Sequence, residues 1–306
     1  MPSLRIAGTV AVLLAGLAPS AQAESSGLGG FVGAAPGGVG GRFAEPSDVA
    51  VYLGDRGDPA DDKLFVVEAL PGNNRVQRLD RHGNFELAWG RDVVRPGARG
   101  DTGTGYEVCR RSVSGAAGCK RARRGAERGE LSNPTAIAVS QSPGRVYVMD
   151  HGNRRVQELD LDGRFVRAWR HGFAGTGNGS IAVSPAPPHH VFVGDPGKRR
   201  VLELEPDGRF VRAWRPGRGV RRWPSHVAVD RRGVLYASEG VDNADVLRFD
   251  TRSPSRGRVA PLRSGEQLSS GWTMGLEVDP ASGALVVARN PFGPMVVDVV
   301  HRPGGP

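Results

Sequence analysis

The chain has 306 residues, with 41 Lys and Arg against 32 Asp and Glu, 45 Gly, 23 Pro and two Cys. Two cysteines are too few for a disulfide scaffold or a four-cysteine zinc site. Gly and Pro run at about twice their average frequency, which suits a fold with many tight turns without reaching the composition of a disordered chain.

The first 23 residues read as an export signal. Arg5 charges the n-region, Ile6 to Leu17 form an apolar stretch too short to span a bilayer, and Ala21-Gln22-Ala23 is a small-x-small cleavage site. No other apolar run approaches a membrane-spanning length. The expectation is a secreted chain of residues 24–306, cleaved after Ala23, in a compartment where Cys109 and Cys119 form one local disulfide.

An internal repeat organises the rest. Asp162 to Arg170 recurs letter for letter as Asp207 to Arg215, and a looser copy runs from Gly83 to Trp89. Upstream of these lie the related lines Asn73 to Asp80, Asn153 to Asp160 and Lys198 to Glu205. Further upstream sit short apolar runs at 48–51, 136–139, 180–183, 226–229 and 275–278. Each unit reads as four short strands parted by Gly, Pro, Asp and Asn, with no helical period. In the second unit the strands are expected at 136–139, 145–149, 155–160 and 164–170. Such a unit cannot bury both faces alone, so several must pack face to face, and the expected class is an all-β propeller of four-stranded blades.

The blade units fall at about 43–90, 130–172, 178–216, 219–264 and 271–303. The last supplies strands at 275–278, 284–288 and 295–300 and no fourth. Phe31-Val32-Gly33-Ala34 matches Phe165-Val166-Arg167-Ala168, so a strand at about 28–35 is expected to complete that last blade and close a five-bladed ring. Between the first two units lies an insertion, 91–129, in which apolar residues are sparse and ten Arg and Lys face four acids. It reads as a strandless loop pinned by the disulfide.

These residues resemble the NHL-repeat family of β-propellers. The family pattern is similar to Pro134 to Val139, then Tyr147-Val148-Met149-Asp150, then Asn153 to Leu159. The resemblance covers about 43–90 and 130–300. It weakens in the fourth unit, where Glu239 and Asp245 depart from the pattern, and the fifth keeps almost none of the polar signature. NHL rings usually have six blades.

In a propeller the first strand of each blade lines a central channel. Its opening positions here are Asp48, Ala136, Ser180, His226 and Gly275, and two residues on Ala gives way to Glu277 in the last unit. Asp48, His226 and Glu277 are the ionisable breaks in that inner ring, either a metal or acid–base site or a solvated channel mouth. The related peptidylglycine amidating lyases carry zinc-binding histidines at positions matching Ser47, Thr135, Gly179 and Ser225, none of them His. No histidine and acid set matching the magnesium site of the streptogramin lyases is present. The equivalent Trp89, Trp169 and Trp214 are expected in packing between blades, with stacking on a ligand as the alternative. Asp150 with Arg154 and Arg155 reads as scaffold, the arginines bridging to the neighbouring blade.

The reading is a secreted, non-catalytic, monomeric binding or scaffold module with no cofactor and no metal. It would recognise a protein or an extracellular polyanion, ahead of a small-molecule substrate, through blade loops and Arg110, Arg111, Lys120, Arg121, Arg123 and Arg124 of the insertion. The alternative is a metal-dependent lyase or hydrolase with its site in the channel.

Overall fold

Runs of β-branched and aromatic residues closed off by Asp-Gly and Gly-rich turns become strands throughout. A computed structural model describes residues 38–43, 46–54, 61–69, 72–174, 179–215, 225–238, 246–251, 260–261, 272–278, 284–290 and 296–300. The described residues divide into two compact units, one within 24–175 and one within 176–306.

In the first unit, β1 (Pro46–Tyr52), β2 (Lys63–Glu68), β3 (Arg75–Asp80), β4 (Phe85–Arg91) and β5 (Tyr106–Arg110) form one antiparallel sheet in sequence order. The next sheet is β6 (Pro134–Ser140), β7 (Arg145–Asp150), β8 (Arg155–Asp160) and β9 (Phe165–Trp169). In the second unit, β10 (Ile181–Val183), β11 (Val191–Asp195), β12 (Arg200–Leu204) and β13 (Phe210–Trp214) form a third sheet. The fourth comprises β14 (His226–Val229), β15 (Val234–Ser238), β16 (Val246–Asp250) and β17 (Ala260–Pro261). The last has three described strands, β18 (Trp272–Val278), β19 (Leu285–Asn290) and β20 (Val296–Val300). The fold is all-β, built of up-and-down sheets that are β-propeller blades. The strand expected at 28–35 lies outside the described residues.

The hairpin turns follow from single aspartates. Asp80 Oδ1 accepts the amides of His82 and Asn84, and Asp160 Oδ1 accepts those of Asp162 and Arg164, which folds the chain from third to fourth strand. Gly163 follows with φ of 82°, and a Cβ there would lie 2.8 Å from the Trp89 ring. Only glycine lets that turn close on the preceding blade.

Packing is face to face within each unit. Phe65, Val67, Val76 and Trp89 of the first sheet meet Ile137, Val146, Val148 and Leu159 of the second. Phe192, Val201 and Trp214 meet Val227, Leu235, Leu247 and Phe249 in the same way, and Tyr236 and Val246 meet Leu276 and Val287. Each fully buried side chain of this size contributes about 1.5–3 kcal/mol.

Below the strands runs a repeated polar clamp. Arg75 Nε donates to Glu68 at 2.7 Å, and its Nη atoms reach the carbonyls of Gly38, Lys120, Val39 and Arg42. Gln77 takes the Gly41 amide and donates to Arg42 O. In the second sheet Arg155 Nε donates to Asp150 at 2.7 Å while Nη2 reaches the carbonyls of Glu127 and Glu130. There Gln157 takes the Gly129 amide and donates to Glu130 O. Arg155 therefore holds the segment entering its own blade, and Arg75 holds both the segment entering its blade and Lys120 of the insertion that follows it. Among the side chains that do cross between blades is Arg78, which donates to Leu161 O and Asp162 Oδ1 at 2.8 and 3.0 Å.

Candidate functional site

The insertion is built, contrary to its reading as a strandless loop. Tyr106–Arg110 pairs antiparallel with β4, Leu87 opposite Arg110 and Arg91 opposite Tyr106, and adds a fifth strand to the first sheet. A short helix, α1 (Arg111–Gly118), follows, interrupted at Gly115 by a φ of 67°. The Cys109–Cys119 disulfide ties β5 to the segment leaving α1, and both cysteines are buried among Phe85, Ala88, Val93, Val94 and Ala122. The signal was present in Tyr106-Glu107-Val108-Cys109-Arg110, a β-prone pentapeptide, but flanking Gly and Arg diluted it.

Buried Glu107 organises the loop before β5. One oxygen accepts the Val94 amide at 2.8 Å and the other accepts the amide and hydroxyl of Thr102. Tyr106 lies over Gly129, where a Cβ would come within 2.4 Å of its ring, and its hydroxyl donates to Gly163 O of the second sheet. Burial pushes that phenol well above its ordinary value, so it acts as a neutral donor. The insertion is thus fastened to both sheets of its unit.

Its basic residues divide by use. Arg110 is half-buried and lies 3.4 Å from Asp162, whose carboxyl is held below its ordinary value because Arg78 and Arg110 outweigh the cost of burial. Lys120 is half-buried, and its carbonyl belongs to the Arg75 clamp. Arg111, Arg121, Arg123, Arg124 and Arg128 are exposed. Of these only Arg123 has an ion pair with a described residue, at 3.8 Å from Asp92, and its side chain remains 77% exposed.

Asp48 lies at the start of β1. Its Oδ1 accepts the Val49 amide and its Oδ2 accepts the Ile137 amide of β6, both at 2.9 Å. The residue is only partly covered, yet the carboxyl group itself has lost enough hydration to be pushed up to about 7, against the lowering effect of the two amides. Asp48 is thereby a strap between adjacent first strands. His226 opens β14 and is half-buried; Glu277, on β18, is exposed and accepts the Val278 amide at 3.2 Å. Among the described residues no group of three or more His, Cys, Asp or Glu is arranged to hold a metal ion.

Trp89 and Trp214 pack against the following sheet of their own units, and Trp214 Nε1 donates to Glu203 at 2.9 Å. Trp169 is buried, its ring centroid 5.5 Å from that of Tyr147. Trp89 and Trp214 are packing residues between blades.

No family model matches the chain. Human NHL repeat-containing protein 3 is 26% identical over 146 residues, 47% of this chain. The chain is similar to NHL-repeat proteins. It spans only 30% of that human relative's length. Among solved structures, a nidogen–laminin complex aligns with a TM-score of 0.49 at 11% identity, covering 84% of this chain and 80% of that one. A gluconolactonase from Xanthomonas campestris gives 0.47 at 15% identity, over 87% and 77%. Virginiamycin B lyase from Staphylococcus aureus gives 0.45 at 11%, over 82% and 69%. The NHL-type blade architecture supports a binding or scaffold module, with function carried by what is mounted on the blades. No helix among the described residues is long and apolar enough to cross a membrane.

Proposed function

We propose that this chain is an exported binding module whose contact surface for a polyanionic partner is the insertion 91–129. One contrast carries the reading. Arg75 and Arg155 are buried and satisfied by carboxylates and carbonyls, whereas Arg111, Arg121, Arg123, Arg124 and Arg128 stay exposed on a segment that a strand, a helix and a disulfide hold in shape. A preformed support removes the cost of ordering the backbone on binding, and guanidinium groups match sulfate, phosphate or carboxylate in a forked geometry. Export is supported by the disulfide, which suits an oxidising compartment, and by the signal-like residues 1–23, which lie outside the described residues.

The channel reading is less well supported, since both Asp48 oxygens already accept backbone amides. The test is retention of residues 24–306 on immobilised heparin. Exchange of Arg121, Arg123 and Arg124 to Gln should bring elution to markedly lower salt. Retention unchanged by the triple substitution would reject the insertion as the contact surface.

A further inference from the structure

β9 and β13 are the last strands of their sheets, and among the described residues no strand lies beyond either. The first sheet shows what that edge accepts. Its fourth strand, β4, is covered by β5 in a five-residue antiparallel register, and Leu87 and Ala88 are fully buried beneath it. Among the described residues nothing pairs with the outer edge of the matching strands β9 and β13, which share the sequence Phe-Val-Arg-Ala-Trp.

Their surface has a definite character. Four large apolar residues are exposed among the described residues, and two of them, Val166 at 37% and Phe210 at 53%, lie on these strands. Arg164, Arg167 and Arg170 are exposed along one edge; Arg209 and Arg215 are exposed at the other, with Arg212 half-buried between them. Arg167 and Arg212 each lie 3.0 Å from one carboxylate, Glu158 and Glu203, and Arg209 lies 3.5 Å from Glu205. Three arginines thus face one of these acids at β9 and two at β13, and each edge stays basic. Two such edges repel one another, which disfavours pairing between copies of this chain. An extended acidic segment is complementary in charge and supplies the missing strand.

We propose that β9 and β13 each dock an extended acidic peptide segment of a partner protein by antiparallel strand addition, as β5 covers β4. Main-chain hydrogen bonds would hold the segment, and the arginines would select for Asp and Glu. This inference is independent of the polyanion surface on the insertion.

The probe is a fluorescein-labelled peptide of alternating glutamate and valine, titrated with residues 24–306 and followed by anisotropy, with calorimetry for stoichiometry. Saturable binding of two peptides per chain is expected. Methylating alternate peptide nitrogens leaves every charge in place but removes the strand-forming donors, and should weaken binding about tenfold or more. The same peptide with lysine for glutamate should not bind. Arg164→Glu with Arg170→Glu should abolish one site, Arg209→Glu with Arg215→Glu the other, and Arg121→Gln with Arg123→Gln and Arg124→Gln should abolish neither. Equal binding of the methylated peptide, loss of binding in the insertion variant, or no saturable binding would each overturn the proposal. The comparison of peptides alone decides the matter if an edge variant fails to fold.

Discussion

Arg75 is fully buried, and its side chain binds Glu68 and four backbone carbonyls. Truncation to Ala would leave a buried carboxylate without its counter-charge, and the expected loss is about 3–5 kcal/mol, read as a lower urea midpoint. A loss below about 1 kcal/mol, the range of an exposed pair, would show that the clamp is wet. Asp48 gives a pH signature of known sign. Its folded value, about 7, lies above its ordinary 3.8, so the folded state holds the proton more tightly than the unfolded chain. Its contribution is complete below about pH 4 and is lost as pH rises toward 7. Asp48→Asn should flatten stability over that window, and an unchanged pH profile would refute the assignment. The sequence showed Asp48 as an ionisable break in an apolar row. It could not show that the Ile137 amide would meet it, because that partner is set by how adjacent blades stack.

At the scale of elements, the disulfide closes a short loop around α1, and replacing both cysteines by serine should cost about 3 kcal/mol. The damage should be local, so trypsin should cut the reduced chain first within the Arg-rich stretch 110–128. A digestion pattern indifferent to reduction would mean that β5 and its bonds to Gly163 and Asp162 suffice. Strands β6 to β9 are legible because Val156 and Leu159 stand apolar between polar neighbours, the same line recurs in other units, and Asp-Gly marks the turn. β5 was hidden for the opposite reason. Its stability comes from the β4 edge and the buried cysteines, neither of which leaves a periodic trace in so short a run. The clamp glutamines were missed likewise, since Gln77 and Gln157 act on carbonyls of segments far from them in sequence.

For the molecule as a whole, repetition explains the fold and individuality explains the proposed function. Trp89 at one interface and Trp214 at another do the same work, and truncating either to Ala should cost about 3–5 kcal/mol. A loss at Trp89 near zero would contradict the packing of the first two blades. The insertion occurs once, and it gathers the exposed Arg111, Arg121, Arg123, Arg124 and Arg128 onto one disulfide-pinned segment. That it is a binding surface is the central claim. The most direct measurement is the affinity of residues 24–306 for a size-defined heparin oligosaccharide across a salt series. It would be made with wild type and with Arg121, Arg123 and Arg124 exchanged to Gln. Each arginine in contact should add about one to the slope of log affinity against log salt, so the variant's slope should be shallower by about three. Identical slopes and affinities would contradict the account.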